Sequence, residues 1–254
     1  MFDPIAYFFA NVLLLLYKFL GNQTVWAIAV LTLLINLLVL PLTLRQQKSS
    51  RKMQEFQPEI EKLQKKYAKD KERLSQEQMK LYKEAGINPM AGCLPLLIQM
   101  PIWFGLIGAI RYCIPSTPFE LFRFSQHIYK WLPGVVGLVP LQSTFLGMDL
   151  GQPPNPVQWW SYSLPILVLA TSWLQQKLLT PPSVGDDQSQ AATMNRQMQV
   201  MMPLMFMFFT LQYATGLSIY FIISNVIRLV QYFLVQRSRD GAEEKGKAKA
   251  KAKT

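Results

Sequence analysis

The chain has 254 residues, half of them hydrophobic, and a formal net charge of +11. The apolar residues come in long blocks and the charge sits between the blocks, which excludes an ordinary soluble domain, where apolar residues recur at helical or strand period. Segregation of this kind marks a membrane protein, and the expected fold is all-α: five core transmembrane helices, a cytoplasmic helical hairpin and an N-terminal interfacial helix.

The first element is the apolar stretch Ile5–Leu20. No Lys or Arg precedes it, Asp3 does, and no small-residue cleavage site follows, so it is not an ordinary signal peptide. Its length is marginal for a span, and Asn11, Tyr17 and Lys18 interrupt it. Residues 1–21 are expected as a helix lying along the outer interface, with a sixth span as the alternative.

A spanning helix needs about 20 apolar residues. Val25–Leu44, Leu94–Ile114 and Trp159–Leu179 meet that requirement. Val200–Val235 is too long for one crossing and is interrupted at Gln212-Tyr213-Ala214-Thr215-Gly216, which divides it into Val200–Tyr213 and Gly216–Val235. The first of these pieces is short, so it extends into Met194–Gln199 or lies in a thinned bilayer. Together the spans define a core over residues 22–236.

Charge orients the core. Twelve Lys or Arg lie between Arg45 and Lys83 and seven follow Val235, whereas 115–158 carries only Arg123 and Lys130. The positive-inside rule therefore places the hairpin (45–86) and the tail in the cytoplasm, the loop 115–158 outside, the N-terminus outside and the C-terminus inside. Trp131, Trp159 and Trp160 suit an interfacial loop.

Within 45–86, Met53, Phe56, Ile60, Leu63 and Tyr67 recur at spacings of 3, 4, 3 and 4, a heptad seam. Leu74, Leu81 and Ala85 continue an apolar stripe on a second helix after Ala68-Lys69-Asp70, and Pro58 starts or kinks the first. The pair is either a plain connector or a docking arm whose basic residues face lipid headgroups or a partner. Cys93 and Cys113 bracket one helix and stand roughly 30 Å apart, beyond disulfide reach, so both are expected as free thiols. Residues 237–254 alternate Lys with Gly and Ala, have no apolar face, and are expected to be a disordered basic tail that meets ribosomal RNA, anionic lipid, or nothing beyond its role in setting topology.

No Asp or Glu falls in any span and the one histidine, His127, is in the outer loop. Metal-assisted and serine-type catalysis lack their residues, and a proton-coupled carrier lacks its carboxylate, so no enzyme activity and no cofactor or metal is expected. Apart from Arg111 and Lys177 near span ends, the spans hold neutral polar groups and one cation. Thr32 and Asn36 share a face of the first span, and Gln99 is in the second. Thr171, Ser172, Gln175 and Gln176 end the third. Ser218, Tyr220, Ser224, Asn225, Arg228 and Gln231 line the fifth. Such groups avoid lipid, and either they join the helices as structural glue or they line a hydrated cavity open to the cytoplasm. Six of the twelve methionines fall between Met194 and Met207, a flexible surface for varied apolar partners or simple gap-filling.

The run from Gly86 through Ile87-Asn88-Pro89-Met90-Ala91-Gly92-Cys93-Leu94-Pro95 to Gln99-Met100-Pro101-Ile102-Trp103 resembles the start of the second core helix in the YidC membrane insertases, with their mitochondrial oxidase-assembly and chloroplast albino relatives. Leu40-Pro41-Leu42-Thr43, Met202-Pro203, Gly216-Leu217-Ser218-Ile219-Tyr220 and Ser224-Asn225 are similar too, in order, over about residues 4–236. The resemblance implies an insertase that guides nascent hydrophobic segments into the bilayer through a hydrophilic groove open to cytoplasm and lipid and closed outside. Thr32, Asn36, Gln99, Tyr220, Asn225 and Arg228 are the candidate groove residues. The family places a cation in the first core helix, and the matching position here is Asn36. If the first and last spans are neighbours, Arg228 supplies that charge from across the groove. Nascent membrane proteins and lipid are the implied partners. The ribosome and a Sec-type translocon are candidates, a monomer suffices, and a bacterial plasma membrane is the expected location. A small channel or carrier built from the same polar residues is the rival reading.

Overall fold

The computed structural model describes residues 3–67, 70–86, 94–114, 117–129, 136–179 and 190–251. Of the sequence features above, the turn residues Ala68 and Lys69, the motif residues 87–93 with Cys93, and Lys130 and Trp131 lie outside them. Among the described residues there are nine α-helices: α1 (Asp3–Phe19), α2 (Thr24–Glu55), α3 (Gln57–Lys66), α4 (Lys71–Glu84), α5 (Leu94–Cys113), α6 (Pro118–Ser125), α7 (Ser163–Leu179), α8 (Gln190–Gln212) and α9 (Thr215–Lys251). Among the described residues the fold is all-α with one antiparallel pair, β1 (Thr144–Phe145) and β2 (Met148–Asp149). The stretches Thr24–Ser49 (mean hydropathy 2.5) and Thr215–Gln236 (mean hydropathy 1.6) are long and apolar enough to cross a membrane.

α9 is the hub of the bundle and packs against α2, α5, α7 and α8. α2 and α9 both run from the end carrying the 136–162 segment, the loop end, to the end carrying α3 and α4, the hairpin end. α1 packs mainly against α5 and also against α2. That approach is close because α5 offers no side chain there: a Cβ on Gly105 would stand 2.6 Å from Ile5 Cγ2, and one on Gly108 2.5 Å from the Ala6 Cβ. Ala10, Leu13 and Leu14 are fully buried as a result. The polar groups of α1 point to the same end. Asn11 donates to the His127 carbonyl at 3.1 Å and accepts from the Tyr129 amide at 2.9 Å. The Tyr112 hydroxyl donates to Asp3 Oδ1 at 3.1 Å.

Element ends depart from the sequence expectation in two places, the end of α2 and the tail. α2 does not end near Leu44 but continues to Glu55 with Pro41 inside it. Proline removes one helical hydrogen bond, and a long helix with a good nucleus carries that loss. The first hairpin helix is accordingly split at Phe56, and Pro58 sits in the first turn of α3, where its missing N–H costs nothing. α8 spans 23 residues and does extend back past Met194, making it about 35 Å long. The tail 237–251, expected to be disordered, continues α9 as helix to Lys251. Ala, Lys and Glu are good helix formers, and the preceding span supplies the turn that an isolated tail would have to nucleate.

Of the seam residues named from spacing, the side chain of Met53 lies outside the described residues. Ile60 is buried and Phe56, Leu63, Tyr67, Leu74 and Leu81 are half-buried. Asp70 caps α4 by accepting from the Arg73 amide at 3.0 Å. Gly86, at φ +63°, follows α4 in the left-handed conformation that favours glycine. Burial raises the Tyr82 phenol above its ordinary range.

Candidate functional site

Tyr220, Ser224 and Arg228 recur every four residues on α9, and an α-helix therefore lines them up on one face. Opposite them stand α2 and α5. Gln99 of α5 bridges two of the three: its Nε2 donates to the Tyr220 hydroxyl at 2.7 Å, and its Oε1 accepts from Arg228 Nη2. Both ends of the Gln99 amide are thus committed, which fixes its orientation. α5 and α9 touch sparsely, and at this level long side chains rather than backbones join them.

Ser224 meets α2. Its hydroxyl lies 3.3 Å from both Nδ2 and Oδ1 of Asn36, donating to the oxygen and accepting from the nitrogen. Asn36 Nδ2 also donates to the Thr32 carbonyl at 2.8 Å. The Thr32 hydroxyl turns back to the Ile28 carbonyl at 2.6 Å, inside its own helix. Asn225 faces elsewhere. Its Nδ2 donates to Thr171 Oγ1 at 3.0 Å and to Ser172 Oγ at 2.8 Å, both on α7.

Of the six residues named from sequence, Gln99, Tyr220 and Arg228 form one connected chain, and Asn36 joins the same α9 face through Ser224. Thr32 lies beneath Asn36, bonded within α2, and Asn225 ties α9 to α7. Ser224, already among the polar groups of the fifth span, is the member left out of the six. Its spacing of four from both Tyr220 and Arg228 was the available signal, but nothing in the sequence said that α2 stands opposite that face.

Among the described residues no carboxylate answers the charge of Arg228. Its Nε is buried without a hydrogen-bond partner, and among the described residues the side-chain ion pairs are Arg111–Glu120 and Arg123–Asp3, both near the loop end. A guanidinium removed from water without a counter-charge is costly. An aromatic clamp holds its helix in phase: Trp103, one turn beyond Gln99, meets Phe206 of α8 edge-on at 5.0 Å and Phe221 of α9 at 5.1 Å. Two surface cavities, of 380 and 230 Å³, open at the loop end around Gln152 and Pro153, and none of the six residues lines either. Among the described residues no group of His, Cys, Asp or Glu is placed to hold a metal ion.

The family model described as 60Kd inner membrane protein matches residues 15–243. Among curated relatives, a membrane protein insertase YidC of Fusobacterium nucleatum is 36% identical over 220 residues, which are 87% of this chain and 89% of the relative. A membrane protein insertase YidC of Clostridium perfringens is 39% identical over 228 residues, 89% of this chain and 84% of the relative. The membrane protein insertase MisCA of Bacillus subtilis is 34% identical over 226 residues, 86% of this chain and 72% of the relative. With a family match over nearly the whole α-helical core and relatives of similar length, the chain belongs to the 60Kd inner membrane protein family, that of the YidC membrane insertases.

Proposed function

We propose that this chain is a membrane protein insertase in which Arg228 of α9, held by Gln99 and Tyr220, receives the acidic flank of an incoming client. The supporting observation is a half-buried guanidinium whose Nε is buried and unpaired and which, among the described residues, has no carboxylate in an ion pair with it. An anion brought to it gains a charge-assisted hydrogen bond where water competes poorly. Asn36 stands at the family's cationic position, and its partner Ser224 is one helical turn from Arg228, so the charge sits across the groove rather than at Asn36.

In this reading α2, α5, α7, α8 and α9 cross the membrane, the hairpin end faces the cytoplasm, the loop end faces outside, and α1 lies at the outer interface of a bacterial plasma membrane. The charge distribution supports that orientation. A groove between α2, α5 and α9 opens to the cytoplasm and to lipid. A nascent segment meets the hairpin, its polar flank pauses at Arg228, and its apolar helix leaves sideways into lipid, driven by burial of roughly 25 cal/mol per Å² of apolar area. Neither nucleotide nor covalent chemistry is needed. The basic hairpin and tail are the candidate contacts for a ribosome, and a Sec-type translocon is a candidate co-worker.

Site-specific photocrosslinking from positions 36, 220 and 228 to ribosome-bound membrane nascent chains tests the reading. Crosslinks from all three that rise as the client's segment enters support it. Their absence while insertion continues rejects this site. Proteoliposomes that pass ions freely would favour the channel instead.

A further inference from the structure

On α5, Trp103, Ile107, Ile110 and Arg111 fall at helical spacing on one face, and on α8 Phe206, Phe209 and Tyr213 do the same, the last just past the helix end. The two faces meet where the Trp103 ring lies 5.0 Å from Phe206 and 5.4 Å from Phe209. Nearer the loop end they stand apart, and the smaller cavity, of 230 Å³, opens between them. Ile107, Ile110 and Leu217 supply its apolar wall, the last two almost wholly buried. Arg111, Gln152, Gln212 and Tyr213 supply its polar lining.

Among the described residues Arg111 is the one charged group that lines this cavity. Glu120 of α6 accepts from its Nη2, and the arginine side chain is still 60% exposed. A guanidinium carries several N–H donors in a planar fork, so one bond to Glu120 holds it in place and leaves donors for a second acceptor. Gln152 and Gln212 bring amide donors to the same space, and Tyr213 a hydroxyl. Asp149 lines the adjoining larger cavity instead, and its Oδ1 is engaged by the Gly151 amide at 2.9 Å. An anion-binding rim thus adjoins an apolar wall. Trp159 and Trp160, exposed at the same end, are of the kind that settles at the level of lipid headgroups.

We propose that this cavity holds the phosphodiester headgroup of an outer-leaflet phospholipid, with Arg111 on the phosphate and the acyl chains running down the α5–α8 seam toward Trp103. The size suits a headgroup rather than a whole lipid, since cavities that enclose a small molecule measure about 300–1,000 Å³. Arginine and phosphate form a charge-assisted bond, strongest where the fork donates twice, and the apolar wall beside it keeps competing water down. Ile107 and Phe209 are half-buried, so the seam below the cavity still offers apolar surface to a chain. The lipid fills a gap that the side chains of α5 and α8 leave open. The proposal rests on the membrane orientation given with the insertase reading, but its test needs no client, so either can fail without the other.

The test uses the full-length protein in detergent, titrated with dioleoyl phosphatidylglycerol and read by native mass spectrometry. One lipid per chain is expected to bind roughly tenfold more tightly than dioleoylglycerol, which has the same chains and no phosphate. Excess inorganic phosphate is expected to leave that lipid in place. Arg111→Gln should weaken binding about tenfold, the scale of one charge-assisted hydrogen bond. Arg123→Gln, at the exposed arginine paired with Asp3, should leave it within about twofold. Gln212→Trp sets a large ring at the exposed mouth of the cavity and should also weaken binding, and it decides the matter should Arg111→Gln fail to fold. Equal retention of dioleoylglycerol, displacement by inorganic phosphate, or an equal loss in Arg111→Gln and Arg123→Gln overturns the proposal. So does a folded Gln212→Trp protein that binds the lipid as its parent does.

Discussion

Asn36 and Ser224, 188 positions apart in the chain, meet side chain to side chain across the α2–α9 interface, amide to hydroxyl at 3.3 Å on both sides. This pair brings the first long apolar helix beside the last, and Arg228 lies one helical turn from Ser224 on α9.

Because each partner of that pair is buried, removing one leaves the other short of a hydrogen bond. Ser224→Ala and Asn36→Ala should each lower stability in detergent by about 1 kcal/mol. A double-mutant cycle read by thermal unfolding should return a coupling of roughly 0.5 kcal/mol, the usual scale for a hydrogen bond between membrane helices. Strict additivity would mean that the two helices are not joined there.

Arg228→Gln removes the charge but keeps a group able to bond Gln99. Insertion of clients with an acidic translocated segment should fall roughly tenfold, the scale of one lost charge-assisted hydrogen bond. Clients with a neutral segment should change little. Arg228→Lys should recover part of the loss, since it restores charge but not the planar fork. An equal fall for acidic and neutral clients would show that Arg228 supports the bundle rather than the client.

If charge at this depth is what counts, its helix of origin does not. Asn36→Arg combined with Arg228→Gln should regain most of the acidic-client insertion lost by Arg228→Gln alone, measured side by side in the same vesicles. No rescue, in a double variant that folds, would tie the function to the Arg228–Gln99–Tyr220 arrangement itself.

Asn225 offers a contrast. Its amide is spent on Thr171 and Ser172 of α7. Asn225→Ala should lower the unfolding temperature while leaving the ratio of acidic to neutral client insertion unchanged. A shift in that ratio would place Asn225 with Arg228 after all.

Gly108→Leu pushes a side chain into Ala6, whose Cβ already lies 2.5 Å from where the new Cβ would sit. Overpacking of this kind costs about 1–3 kcal/mol. α1 should lift from α5, which limited proteolysis near the N-terminus would register as faster cleavage than in the parent.

Blocks of apolar residues and the interruption at Gln212–Gly216 were enough to expect long helices where α2, α5, α7, α8 and α9 stand, and polar groups along α9. These follow from period, length and composition, which are local properties of the chain. Local reading failed where a neighbour decides the outcome. α2 runs through Pro41 to Glu55, and the tail stays helical to Lys251, because an established helix propagates more cheaply than a new one starts.

Partnership was beyond sequence altogether. Spacing put Thr32 and Asn36 on one face and Ser224 and Arg228 on another, but rotation of each helix about its own axis is set by packing. Gly105 and Gly108 beneath α1, and Trp103 against Phe206 and Phe221, fix that rotation. Only the assembled bundle turns Asn36 to Ser224, Gln99 to both Tyr220 and Arg228, and Asn225 away to α7, since a buried hydrogen bond depends on angstroms that no residue spacing specifies.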